Sequence, residues 1–321
     1  MSTKFFNQER PEREIIRDEL MDLLGTSNNP EGLDLRRTRS EQERLELVTK
    51  ILQMRQAEGG ESLEISKTPE MQVEIEEAIK LVRQIATDNG HTLSAPLLAS
   101  KVHFFTPEAF IQRIRRRPST GGAQFVTSCH VFLVENTPEE SEYWISSGEQ
   151  PDPTAIKLSR QRKIAHELMH LLGFQRFHSI KGGTDIEVRS GYRVPLFKRE
   201  NGHDEDEGSA FDCLNEAVID RLILEGMSKR EGRDVSAVAG YPHDIKLLEL
   251  IMAGIAKSES EDKSVVWKKF VDGYFDGNMM HLREIAKVFG REAFATYARL
   301  LPDESSSDKR FQELKEMFTK S

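Results

Sequence analysis

Ten residues, IAHELMHLLG (164–173), constrain this chain more than any others. Ile164, Leu168 and Leu171 recur at i, i+4 and i+7, the period of a helix that presents one apolar stripe to a core. His166 and His170 lie off that stripe, so a helix over Ser159–Leu172 sets two imidazoles one turn apart on another face. Imidazoles so placed can reach one cation, and Glu167 follows the first of them in the spacing His-Glu-x-x-His. Gly173 stands one further turn along the His face, where a missing side chain lets other backbone approach.

Two imidazoles do not complete a catalytic zinc site, which takes three protein ligands and keeps one position open. A continuation as His-x-x-Gly-x-x-His fails, because its last position is Arg176, whose cation cannot ligate, and His178 comes two residues late. The better donor lies in FDCLNEAVIDRLI (211–223), part of a helix expected over Ala210–Glu225. There Glu216 supplies a carboxylate, and Asp220, four residues on and on the same face, is placed to accept the free ring N–H of a metal-bound His. Cys213 reads as a small buried residue at a helix interface rather than an alternative ligand.

The rest of the chain sets the frame for this site. At 321 residues, 37% hydrophobic and 31% charged, it can bury a core of two compact lobes or one large domain. Acidic residues number 54 against 45 basic, a net charge of −9, which argues against a dedicated nucleic-acid coat or membrane-surface binder. The arginine-rich run Gln112–Arg117 accordingly reads as a solvated helix end. The first twenty residues contain no apolar signal core and no later stretch could span a bilayer, so a soluble cytoplasmic protein is expected, with export by a signal-independent route left open. Two cysteines, Cys129 and Cys213, do not make a disulfide scaffold.

Periodicity and turn residues divide the chain into three. Residues 1–66 read as a charged helical extension, with helices over 11–25 and Ser40–Ala57. Residues 67–178 form an α/β lobe: a helix over Thr68–Asn89, strand-rich runs at 97–105 and QFVTSCHVFLVE (124–135), then the His-bearing helix. Residues 179–321 begin with a strand-and-loop excursion, containing the acidic loop KRENGHDEDEG, and continue as a mainly helical lobe carrying Glu216. The fold class expected is α+β, predominantly helical.

His166-Glu-Leu-Met-His170 followed by Asn215-Glu216-Ala-Val-Ile-Asp220 resembles the HExxH and NExxxD pair of the thermolysin-like gluzincin metallopeptidases. The resemblance covers two helices, some thirty residues. It implies one zinc ion held by His166, His170 and Glu216, with Glu167 as general base and Asp220 behind a His ligand. It also implies a two-lobed core, with a small mixed sheet and the HExxH helix above a helical lower lobe. The last strand before that helix, QFVTSCHVFLVE, would then be an edge able to pair with an extended peptide. The chain departs from the family in a 46-residue gap from His170 to Glu216, longer than thermolysin's, and in lacking evident large flanking domains. The activity implied is hydrolysis of a peptide or protein substrate: zinc activates a water, Glu167 takes its proton and later delivers it to the leaving amine. Tyr241 and His243 in AGYPHD are the candidates for stabilising the oxyanion, with Tyr192 a lesser contender. A different class of protein stays open on the same residues: a catalytically inactive, zinc-stabilised binding or regulatory module whose N-terminal helices engage a partner protein.

Overall fold

A computed structural model describes residues 64–91, 97–114, 122–125, 130–135, 153–179, 186–200, 203–302 and 309–320. The helices expected over 11–25 and Ser40–Ala57, Cys129, and the second half of the Gln112–Arg117 run lie outside the described residues.

The first helix, α1 (Pro69–Asp88), has Pro69 in its first turn, where no backbone N–H is needed. The Thr68 hydroxyl accepts from Met71 N–H at 3.2 Å, and Asn89 ends the helix. Its apolar face, including Ile75, Val82 and Ile85, is buried. A 3-10 turn at Ala99–Lys101 leads into β1 (Val102–Phe105), so the run expected as strand from 97 is strand only in its second half. After α2 (Pro107–Ile114) come β2 (Gly122–Phe125) and β3 (His130–Val134).

These three strands form one sheet in the order β1-β3-β2, with β3 parallel to β1 and antiparallel to β2. The segment read as a single edge strand is therefore two strands, and its second half is paired on both sides. Backbone groups already used in two ladders cannot accept a substrate strand; the edges of this three-stranded sheet are β1 and β2. All of β3 is buried, because its two faces meet different cores: Val131 and Leu133 join the main one, while Phe132 and Val134 join Phe105 and Phe110. Burial on both faces erases the in-out alternation that marks a solvated edge.

The long helix α3 (Pro153–Leu172) begins six residues earlier than expected, with Pro153 in its first turn. Two antiparallel hairpins follow, β4 (Gln175–Ser179) with β5 (Ile186–Ser190), and β6 (Val194–Glu200) with β7 (His203–Ala210). Of the acidic run expected as a loop, 198–200 end β6 and 203–208 lie in β7; cross-strand pairing overrides the weak strand preference of its Asp and Glu residues.

The remainder is helical: α4 (Asp212–Glu231), α5 (Pro242–Glu259), α6 (Lys263–Asp276), α7 (Arg283–Phe289), α8 (Arg291–Ala298) and α9 (Lys309–Lys320). A single apolar cluster runs from Met71 in α1 through α3 and α4 to Phe318 in α9, crossing the expected lobe boundary at 178/179. Helices α1, α3 and α4 pack against one another at its centre. The architecture is α+β and predominantly helical.

Candidate metal centre

The sequence of α3 promises one buried stripe, but from Ile164 to Leu172 every residue is buried. The His face is therefore not a solvated face; it is roofed by α4. On that helix Glu216 and Asp220, one turn apart, point back at the two imidazoles. His166 Nε2 lies 2.7 Å from Glu216 Oε2, and His170 Nε2 lies 3.3 Å from the same oxygen. The imidazoles meet edge-on, with centroids 5.0 Å apart. Three potential ligand atoms, one from each of His166, His170 and Glu216, lie within 4.8 Å of one another.

Neighbouring groups hold each of these side chains. Asp220, fully buried, accepts from Gly240 N–H at 2.8 Å and Tyr241 N–H at 3.0 Å through Oδ2, and from Arg162 Nη1 at 2.5 Å through Oδ1. Its Oδ1 stands 3.7 Å from His166 Nδ1, a charge contact rather than a hydrogen bond. Asn215 Oδ1 accepts the backbone N–H of Tyr192 at 2.9 Å, which turns the amide nitrogen towards His170 Nδ1 at 3.3 Å. Ser190 Oγ donates to the carbonyl of His170 at 2.9 Å. Tyr274 donates to the carbonyl of Met169 at 2.6 Å. Its ring fills the space at Gly173, where a Cβ would come within 2.8 Å of it, so the neighbour admitted by Gly173 is an aromatic ring and not backbone. The same ring lies against Gly191, whose φ of +55° also favours glycine.

The four ionisable groups polarise one another. Burial alone would push the His166 imidazole down, but the Asp220 and Glu216 carboxylates outweigh it and carry the group up to about 9. Burial would raise Glu216, yet the charges and hydrogen bonds of His170 and His166 hold it well below the usual carboxylate range. Asp220 likewise resists burial: contact with His166, the Arg162 guanidinium and the Tyr241 N–H keep it down at about 2. Glu167 differs. Its carboxyl is raised, burial exceeding the opposing pull of His170 and His166, and its Oε2 has no hydrogen-bond partner. It is the one carboxyl of the group poised to take up a proton.

The residues nominated for oxyanion stabilisation are not equivalent. Tyr241 stacks on the His166 ring at 5.2 Å, and burial together with the Glu216 and Glu167 charges raises its phenol above the ordinary range, so it stays a donor. His243 packs edge-on against Phe311 of α9 instead. The Tyr192 hydroxyl is committed to the core, bonded at 2.7 Å to both the Phe270 carbonyl and His281 Nε2. Cys213 is buried, its thiol raised well above the usual range by burial and by Asp244.

Whether the residues fit a metal can be tested on their own atoms. Tetrahedral zinc with bonds of about 2.0–2.1 Å sets its ligand atoms about 3.3 Å apart. The His170–Glu216 separation of 3.3 Å meets this, and the 2.7 Å His166–Glu216 contact is a hydrogen bond whose proton an ion would replace. His166 Nδ1 and Glu167 Oε2 are both buried without a hydrogen-bond partner, so the cluster is not self-satisfied. The donor set fits. A second group, His91 with Asp272 and Asp276, has the imidazole lying between the two acids, one ring nitrogen 3.2 Å from each, with Lys268 also on Asp272. That is a polar clip between His91, just past the end of α1, and α6.

Arg162 and Tyr274 are the supporting residues that sequence reasoning passed over, and Asn215 was read as part of its motif without a role of its own. Arg162 had a usable signal, since it precedes His166 by one helical turn; Tyr274 had none. No described helix is long and apolar enough to cross a membrane. No protein-family model, curated protein or solved structure matches the chain.

Proposed function

We propose that this chain is a zinc-dependent metallopeptidase of the gluzincin type, in which His166, His170 and Glu216 hold the metal and Glu167 is the general base. The observation that carries this reading is a single one: two imidazoles and a carboxylate converge on one point beside a buried carboxyl, Glu167, that has an unpartnered oxygen and a raised proton affinity. A structural site has no need of that fourth group.

A zinc ion held there supplies Lewis acidity, polarising a carbonyl and bringing the pKa of water towards about 7. The side chains supply the rest. Glu167 takes the proton of the attacking water at its free oxygen and returns it to the leaving nitrogen, a shuttle favoured because burial has raised its proton affinity. Asp220 and Asn215 orient the two imidazoles from behind. The Tyr241 phenol, kept protonated beside His166, is the donor for the negative charge that develops on the substrate oxygen.

The test is metal content and peptide cleavage in the native protein and in Glu167→Gln. Both forms should carry one zinc, and cleavage by the variant should fall about 10²–10⁴-fold. Absence of zinc, or equal cleavage by both forms, overturns the reading. Zinc without cleavage in either form would instead favour a zinc-stabilised binding module.

A further inference from the structure

Asp220 is approached by four groups at once. Its Oδ2 is pinned by two backbone N–H groups of the Gly240–Tyr241 turn, so the carboxylate plane is set before its other oxygen is used. For that other oxygen, Oδ1, two groups compete from the same face of α3: Arg162 and, one turn later, His166. Arg162 wins. Its Nη1 sits 2.5 Å from Oδ1, whereas His166 Nδ1 is left at 3.7 Å and without a hydrogen-bond partner. Gly240 makes this possible, because a Cβ there would stand 2.2 Å from Arg162 Nη1.

The arrangement is a poor device for stability. It buries a carboxylate and most of a guanidinium, and it leaves both Arg162 Nε and His166 Nδ1 unpaired. Buried ion pairs of this kind are often replaceable by apolar residues without loss of stability. Its effect on the imidazole is specific, however. A carboxylate bonded directly to the far nitrogen of a ligating His makes that His a stronger donor, and an arginine that draws the carboxylate away and cancels its charge weakens the effect.

Resting on the metal-centre reading above, we infer that Arg162 is a positioning residue that moderates how tightly His166, His170 and Glu216 hold their metal, by competing with His166 for Oδ1 of Asp220. The centre is thereby kept from binding its ion as strongly as its ligands allow.

The experiment is a zinc-affinity titration of full-length protein against a chromophoric chelator, repeated with Co²⁺ to record the visible ligand-field bands. Arg162→Met removes the competitor and should bind zinc about tenfold more tightly with an altered Co²⁺ spectrum. Arg162→Lys, which keeps the charge, should stay within about threefold of native. Gly240→Ala, which pushes the guanidinium off Asp220, should tighten binding in the same direction and serves if Arg162→Met does not fold. Native-like or weaker zinc binding in the folded variants, with an unchanged Co²⁺ spectrum, overturns the inference and leaves the metal centre standing. A native protein that binds no zinc removes both.

Discussion

Two pairs of histidines are buried among the described residues, and they are put together on opposite principles. In the α3–α4 pair, His166 and His170 turn their Nε2 atoms towards one carboxylate oxygen of Glu216. On the small sheet, His103 and His130 instead form a line. Lys101 Nζ lies 3.0 Å from His130 Nε2, His130 Nδ1 lies 2.8 Å from His103 Nε2, and His103 Nδ1 lies 2.8 Å from Glu64 Oε2. An ammonium only donates and a carboxylate only accepts, so each imidazole of this line accepts at Nε2 and donates at Nδ1. Every ring nitrogen is then engaged by a neighbour in the chain. At the helical pair one ring nitrogen of His166 and one oxygen of Glu167 remain unpartnered. Convergence with unsatisfied atoms leaves a group that could hold an ion; a closed line of donors and acceptors is a piece of structure. Neighbouring strands place side chains abreast, whereas a four-residue helical spacing stacks them over one point.

The largest test of this contrast is His170→Ala, which should abolish zinc binding, set against His103→Ala, which should leave the zinc content unchanged; metal analysis after dialysis reads both. Equal loss of metal in the two variants would break the comparison. Next comes pH. His166 holds its proton up to about 9 and must release it before its nitrogen can ligate. Zinc affinity should therefore rise with pH by up to about tenfold per unit between 7 and 9, then level, with calorimetry recording the released proton. The sign for the metal-free fold is the reverse: the stability gained from protonated His166 beside Glu216 and Asp220 is present at neutral pH and is lost as pH rises through about 9.

Asp220→Asn should weaken zinc by about 10–100-fold; an Asn variant with native affinity would detach that residue from His166. The smallest effect belongs to the sheet. Breaking its line with Glu64→Gln should lower the unfolding free energy by about 1–3 kcal/mol, measured by denaturant, while metal binding is untouched. A shift in zinc affinity there would mean that the two histidine clusters are coupled.

Much of the candidate site was legible because its parts are local. The i, i+4 spacing of His166 and His170 and of Glu216 and Asp220 places each pair on one helical face whatever surrounds it, and Thr68 and Pro69 announce the start of α1 by capping chemistry alone. Strand pairing was less legible. QFVTSCHVFLVE has the composition of a strand throughout, and nothing in it says that residues 122–125 pair with 130–133 across a reversal, or that β1 takes the other side of β3. Pairing partners are a non-local choice.

The sequence by itself determined the contents of the site and the spacing of each half, because helical geometry is dictated over a few residues. Only the tertiary structure decided that the halves meet. The crossing of α3 and α4 brings Glu216 Oε2 to both imidazoles, the Gly240–Tyr241 turn closes on Asp220 Oδ2, and Arg162 takes the oxygen that His166 also faces. It also withdrew Tyr192 and His243 from the chemistry by spending them on packing. The reason is that a side chain's role depends on which partners reach it first, and those partners come from segments tens of residues away.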